Sequence, residues 1–354
     1  MMKCDIVSAV IFMEKKRFEN VDICKGILIL LVVITHGVGM TAAKEGYFRT
    51  WAGSVTMPSF FILSGLMYNH EKWSKKGFVA FVVRRIQTLI IPYFFFELTG
   101  GAVVQIILGN WSGLTAAGIA KGFLSLLINA IKIECNMWPD WFLPTLFGAE
   151  LLLFIALSLE KRKSFLLWVC LIAALIPTIV YVHADIPTGL INGLLWRGTR
   201  VLIGFVLLVI GAKGKNLFLR REYKLWQILI AFAVPSLAVL INGRCSMYAM
   251  NYRSLFLFTV SGCAGMFFIL AVSSKIHSRL LTYIGKGSLI LLGTHSIVYV
   301  YFYSRSGYLW PEPWSTFFLY LFAVAVIAAI TLPLYPKLFP HMMGTKLLWD
   351  YHRE

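Results

Sequence analysis

In "DICKGILILLVVITHG", Asp22 to Gly37, the side chains of Asp22, Lys25 and His36 interrupt a stretch rich in Ile, Leu and Val. Lys25 and His36 are eleven residues apart, close to three whole turns, so a helix points both side chains from one face, roughly 16 Å apart along its axis. Asp22 falls near the same face, one turn before Lys25. Such a stripe offers a cation that can hold an anion and an imidazole that can take a proton or attack a carbonyl. Simpler roles compete: Asp22 and Lys25 can snorkel to a water interface, and His36 can serve a hydrogen bond between helices.

A second group follows. "MPSFFILSGLMY", Met57 to Tyr68, carries a small pair, Ser64 and Gly65, where a neighbouring backbone or a ligand can come close. "EKWSKKGFVAFVVRRIQTLIIPYF", Glu71 to Phe94, then brings Lys72, Lys75, Lys76, Arg84 and Arg85. A basic loop often reflects membrane orientation alone. Arg84 and Arg85 stand apart because the pattern puts them at the start of a helix ending in Pro92, where guanidinium groups can grip phosphates through paired hydrogen bonds. Glu97, Glu150, Arg197, Arg200 and His295 also lie in apolar stretches. Ionisable groups there cost about 2.5–3.5 kcal/mol each on insertion scales, so each is a candidate for function, although an intramembrane Glu and Arg can simply pair.

The elements that must hold these residues follow from composition. The chain is 59% hydrophobic and 14% charged, with a mean hydropathy of +0.76, which places it outside soluble globular domains and among integral membrane proteins. A span needs about 20 mostly apolar residues. Ten stretches qualify, near 21–43, 50–68, 87–109, 141–159, 164–182, 190–211, 225–242, 254–273, 287–304 and 314–336. The expected fold is an all-α polytopic membrane protein of about ten transmembrane helices. The net charge of +17 does not argue for nucleic acid, because it is distributed by side. With the N-terminus cytoplasmic, alternate connections and both termini hold 23 of the 33 Lys and Arg residues. This asymmetry supports ten spans and puts both termini in the cytoplasm, with the cell membrane as the expected location.

Residues 1–16 have a short apolar run broken by Asp5, with no cleavage site before Lys15, so they read as an N-terminal extension or interfacial helix, Met13 being a more natural start. Residues 17–340 form the expected single transmembrane domain and 341–354 a cytoplasmic tail. The longest connection, about 110–140, contains an amphipathic stretch, "LTAAGIAKGFLSLLINAI", expected to lie at the outer interface or re-enter the membrane. No internal repeat is visible. Cys135 and Cys245 fall in expected outer connections, where a disulfide could persist.

In order and spacing these residues resemble acyltransferase family 3, and within it the polysaccharide O-acetyltransferase branch that includes fucose 4-O-acetylase-like proteins. Asp22, Lys25 and His36 match the first-span pattern, with Lys25 where many members have Arg. Phe60 to Gly65, Arg84 to Tyr93, Trp141 to Leu143 with Glu150, Leu240 to Gly243, and Gly285 to His295 follow in the family's order. Where many members carry another Arg three residues after the first, this chain has Thr88. The resemblance implies transfer of an acetyl group from cytoplasmic acetyl-CoA, with no permanently bound cofactor, to a glycan or lipid-linked saccharide at the membrane. His36, Lys25 and Asp22 are then the expected catalytic residues, His36 acting as base or as transient acyl carrier. Arg84, Arg85, Lys72, Ser64 and Gly65 are expected at the coenzyme, and Trp141, Glu150, Arg200, Asn242 and His295 at the acceptor.

Two rivals remain. A transporter or flippase could use the buried charges as a relay, although it would not consume acetyl-CoA and an inverted repeat is missing. An intramembrane serine hydrolase would pair Ser64 with His36 or His295, an awkward match, since Ser64 lies near the cytoplasmic end of its span and His36 deeper. No metal is expected, because no two ligands have zinc-motif spacing.

Overall fold

The structure, a computed structural model, describes residues 2–41, 44, 46–109, 115–132, 137–160, 165–183, 190–220, 222–305 and 313–349, with side chains from residue 19 onward except at 138, 178–196 and 313. Among the described residues the regular structure is helical throughout. In chain order the helices are α1 (Met2–Val38), α2 (Tyr47–Met67), α3 (His70–Lys76), α4 (Phe78–Arg85), α5 (Ile91–Ile107), α6 (Ala116–Ile131), α7 (Phe142–Ser158), α8 (Phe165–His183), α9 (Leu190–Lys213), α10 (Lys215–Phe218), α11 (Leu225–Asn242), α12 (Leu255–Ser273), α13 (Arg279–Lys286), α14 (Ser288–Arg305) and α15 (Pro313–Leu338). A π-helical turn, Ile86–Ile90, joins α4 to α5, and a 3-10 turn, Trp138–Trp141, precedes α7.

Each of the ten stretches expected to span falls on a helix, and among the described residues six helical segments are long and apolar enough to cross a bilayer: Glu19–Val38, Phe78–Ile107, Pro139–Ser158, Leu225–Asn242, Leu255–Ser273 and Trp314–Leu338. The chain is therefore an all-helical membrane protein. One boundary differs from expectation. The segment placed at 87–109 begins nine residues earlier, at Phe78, because α4 is amphipathic and the charges of Arg84 and Arg85 lie along the helix rather than before it. Nor does this helix end at Pro92, which sits in the first turn of α5. Proline clashes with the carbonyl four residues back and cannot donate to it, and the π turn widens the helix just there.

Local chemistry sets the other ends. Asn69, Thr115, Ser254 and Ser278 cap α3, α6, α12 and α13, each accepting from a backbone N–H three residues on, worth about 1 kcal/mol apiece. Gly77, at φ 86°, makes the break between α3 and α4, a conformation that favours glycine. The amphipathic stretch becomes α6, held to α5 by Tyr93, whose hydroxyl donates to Ala130 O at 2.9 Å. Residues before 17 continue α1 without a break. The C-terminal segment docks as far as Trp349: buried Gln87 on the π turn accepts from Leu348 N at 2.6 Å and donates to Trp349 O at 2.8 Å.

Two helices organise the bundle. Central α2 packs on α1, α9, α11 and α12, while α1 packs on α2, α12, α13, α14 and α15. Both use backbone-to-backbone contacts that need glycine. A Cβ on Gly65 would stand 2.1 Å from Leu208 O and one on Gly211 2.0 Å from Ile62 O; across the α1–α13 contact, Gly285 faces Asp22 O at 1.7 Å and Gly26 faces Leu281 O at 2.4 Å. Small residues that let helices approach this closely supply the van der Waals contact that holds membrane bundles together.

Candidate active site

Two chambers lie one beyond the other along α1. The first, of about 380 Å³, is lined by Lys25 and Ile29 of α1, by Met57, Phe60 and Ser64 of α2, by Arg85, and by Phe142 and Glu150 of α7. Its polar groups are arranged as pairs. Lys25 Nζ lies 3.1 Å from Asp22 Oδ1, and Arg85 Nε lies 2.8 Å from Glu150 Oε2. The second contact is electrostatic rather than an aligned hydrogen bond, since neither atom has a hydrogen-bond partner of acceptable angle. The Glu150 side chain is only 4% exposed. Arg85 also lies 5.3 Å from the Phe81 ring centroid, a cation–π contact. The chamber thus combines apolar walls with two cations, each facing one carboxylate.

The second chamber, of about 460 Å³, is lined by Val32, Thr35 and His36 of α1, by Met57 again, and by Arg49, Trp141, Arg244, Tyr248, Tyr299 and Tyr303. Met57 is lined on both sides, and the divide continues between successive turns of α1, Ile29 below and Val32 above, and between adjacent Phe142 and Trp141. Because α1 is continuous, Lys25 and His36 keep the roughly 16 Å axial spacing of eleven helical residues.

His36 stands edge-on to two rings, with centroids 4.5 Å from Tyr299 and 5.4 Å from His295. His295 is fully buried, and its Nδ1 lies 2.8 Å from Leu291 O. A carbonyl can only accept, so Nδ1 carries the hydrogen, and Nε2, which has no hydrogen-bond partner, keeps its lone pair in the neutral ring. One residue on, Ser296 Oγ donates to Asp140 Oδ1 at 2.9 Å, pinning α14 to the turn before α7. Asp140 is fully buried, and Glu97, also fully buried, accepts from Met137 N at 3.2 Å. This brace fixes the height at which His295 meets His36.

Of the residues singled out from sequence, Lys25, Ser64, Arg85 and Glu150 meet in the first chamber, and His36 and Trp141 in the second. Glu150, expected beside the acceptor, is instead on the Lys25 side, held there by Arg85. Ser64 donates to Phe60 O at 3.0 Å, and Gly65 faces α9, not a ligand. Arg84 does not line the first chamber. Lys72 is exposed and lies 5.5 Å from the Trp73 ring, outside it as well. Arg200 sits behind the second chamber, 4.8 Å from the Tyr248 ring and 5.7 Å from that of Trp141, where it steadies two of the wall's aromatics. Asn242 serves the backbone: it accepts from Ser254 N at 2.6 Å and donates to Ser254 O and Cys245 Sγ, both at 3.0 Å. Cys135, the expected partner of Cys245, lies outside the described residues.

Sequence reading missed Arg49, Arg244, Asp140, Ser296 and the tyrosines of the second chamber. By the charge pattern Arg49 and Arg244 fall among the few cations on the outer side, which assigns them no role. Asp140 offered one usable signal, a carboxylate in the apolar "WPDWF".

An apolar helical bundle with two chambers placed one beyond the other along one of its helices defines a helical membrane protein with an internal site. The acyltransferase-domain family model matches residues 18–332, and the chain belongs to acyltransferase family 3; it is a membrane acyltransferase. No curated protein and no solved structure matches it.

Proposed function

We propose that the protein is an O-acetyltransferase of the cell membrane that moves an acetyl group from cytoplasmic acetyl-CoA to a hydroxyl of a cell-envelope or exported glycan. In this reading it spans the membrane ten times with both termini cytoplasmic, residues 17–340 forming one domain. The observation that carries it is the pair of chambers on α1, which share Met57 as a wall. Lys25 lies on the N-terminal side of His36 along α1, the end assigned to the cytoplasm in this reading. Lys25 and Arg85 hold the anionic part of the coenzyme by charge-assisted bonds, and the slender pantetheine arm carries the thioester past Met57 to His36.

The acceptor enters the other chamber, where Trp141 and Tyr248 supply flat faces and Tyr299 a hydroxyl. An unprotonated His36 nitrogen takes the proton of the acceptor hydroxyl as its oxygen attacks the thioester carbonyl. The tetrahedral intermediate collapses, the C–S bond breaks, and the CoA thiolate recovers the proton from His36. A variant of the path has His36 attack the thioester first and pass the acetyl group on. His295, held 5.4 Å away with a bare Nε2, orients the His36 ring and excludes other partners from it.

The test is release of free CoA thiol from acetyl-CoA by purified protein, wild type beside His36→Ala, with and without a cell-envelope glycan extract. Loss of a histidine base is expected to lower turnover by about 10²- to 10⁴-fold without changing the melting temperature. Substrate movement across vesicles with no CoA release from folded protein would establish a transporter instead.

A further inference from the structure

Gln87 follows Arg85 by two residues, about half a turn of helix, and the two side chains meet different neighbours. Arg85 faces Glu150 in the first chamber. Gln87, only 1% exposed, clamps the C-terminal segment with its carboxamide: Oε1 accepts from Leu348 N at 2.6 Å and from Trp349 N at 3.3 Å, and Nε2 donates to Trp349 O at 2.8 Å. One side chain thereby engages both backbone polar groups of Trp349.

The segment it holds, residues 339–349, is a folded strap. Pro340 O accepts from Thr345 N, Lys346 N and Thr345 Oγ1 at 3.0, 3.1 and 2.9 Å, and His341 Nδ1 donates to Lys346 O at 3.1 Å. Buried Met343 packs with Phe96 of α5, Ile290 of α14 and Leu332 of α15, and Leu289 lies against that cluster. Gly344 has φ 63°, which favours glycine. A Cβ there would stand 3.2 Å from Thr88 Cα and 3.5 Å from Gln87 O. The strap therefore touches the π turn at Gln87 and Thr88 and the start of α14 at Ile290. Thr88 and Leu89 of the turn, with Ser288 and Leu289, line the first chamber, so the strap backs one of its walls.

That wall needs an external hold. A π turn is a rare, widened geometry, and Pro92 withholds a donor from the carbonyls one turn back. The turn carries one more residue than the same stretch of α-helix, so its collapse would rotate α4 against α5 by about 100° and carry Arg85 away from the chamber.

Resting on the acetyl-transfer reading above, in which Arg85 holds the anionic part of the donor, we propose that Gln87 is a positioning residue and residues 339–349 a brace that fixes the π turn so that Arg85 meets acetyl-CoA. The brace acts on donor affinity and leaves the chemistry at His36 alone.

The experiment uses the full chain in neutral detergent, with acetyl-CoA affinity read by calorimetry, exchange of the Trp349 amide by mass spectrometry and CoA thiol release in parallel. Gln87→Met keeps the length of the side chain and removes its hydrogen bonds; Leu348→Pro removes from the other side the N–H that Gln87 Oε1 accepts. Each is expected to speed amide exchange and to raise the Kd and KM for acetyl-CoA about three- to tenfold, with kcat within about twofold. The double variant is expected to be no weaker than the weaker single one, because both changes break the same contact. Gln87→Glu, which keeps the acceptor and loses the donor, is expected to fall between wild type and Gln87→Met. Loss of folded protein lowers the number of sites and the rate and leaves Kd unmoved, so a merely structural role does not give this pattern.

A Kd untouched by both single variants, exchange at Trp349 unchanged in Gln87→Met, or effects that multiply in the double variant overturns the brace and leaves acetyl transfer standing. Wild-type protein that binds no acetyl-CoA overturns the acetyl-transfer reading and, with it, the brace, which then has no donor to position.

Discussion

Replacing Glu150 by Gln separates two roles that a buried ion pair can play. In the wild type Arg85 Nε lies 2.8 Å from Glu150 Oε2, with the Glu150 side chain 4% exposed. If Arg85 serves to grip a phosphate of the donor, Glu150 is a competitor that holds the guanidinium ready and also opposes the incoming anion. A phosphate on the far side of Arg85 sits about 7 Å from Glu150. At an effective dielectric near 20 two unit charges at that distance repel by about 2.4 kcal/mol, and in water by about 0.6. The Arg85 side chain is 23% exposed, so solvent screens the interaction and the lower half of that range applies. Glu150→Gln is therefore expected to lower the KM for acetyl-CoA by about three- to tenfold, with a steeper dependence on salt. The same change leaves the Arg85 charge without its counter-charge and lowers stability by roughly 1–3 kcal/mol, read as an earlier melting transition. Arg85→Met should do the opposite to KM, raising it about tenfold or more. The assay is initial-rate CoA thiol release across acetyl-CoA concentrations at low and high salt. A KM that rises in Glu150→Gln as it does in Arg85→Met would refute the reasoning, because Glu150 would then itself contact the donor.

Two further outcomes follow from packing and from the rival chemistry. Gly285→Ala places a Cβ 1.7 Å from Asp22 O, well inside the roughly 3.3 Å of a close C···O contact, so α1 must retreat from α13; overpacking of this kind costs about 1–3 kcal/mol, and a melting temperature within error of wild type would sink the account of this contact. Ser64→Ala removes a hydroxyl that only donates to Phe60 O within its own helix; CoA release within about twofold of wild type is expected, and a loss of a hundredfold or more would revive a serine nucleophile.

What sequence could show was set by whether a signal is local. The Lys25-to-His36 stripe needs only helix geometry, so its shared face is readable from eleven residues of spacing. Helix positions were similarly legible, because apolar runs of this length have few alternatives in a bilayer. The start of the segment carrying Arg84 and Arg85 was not, because two charges argue for the end of an apolar run, whereas α4 carries them on an amphipathic helix that begins at Phe78. The neighbours of His36 were out of reach for another reason. His295 and Tyr299 lie more than 250 residues away in the chain, and Arg49, at the start of α2, and Arg244, in the connection after α11, come from parts of the chain that nothing in the pattern joins. Gly65 and Asn242 matched a family's order, yet their geometry serves a helix contact and a loop, since a small residue or a carboxamide suits packing as well as binding.

Met57 gives the two-chamber plan a consequence for the bilayer itself. Across most of the protein the insulation between the two aqueous phases is a full thickness of hydrocarbon and helix. Between the chambers Met57 is a shared wall, flanked by the immediate neighbours on α1 and α7. Methionine is unbranched and adapts its shape readily, so in the proposed acetyl transfer this wall yields to a narrow thioester and closes behind it. If the chambers face opposite sides of the membrane as proposed, the residue at 57 also guards against a leak of ions, and a smaller side chain there is expected to show as lost membrane potential before any change in acylation.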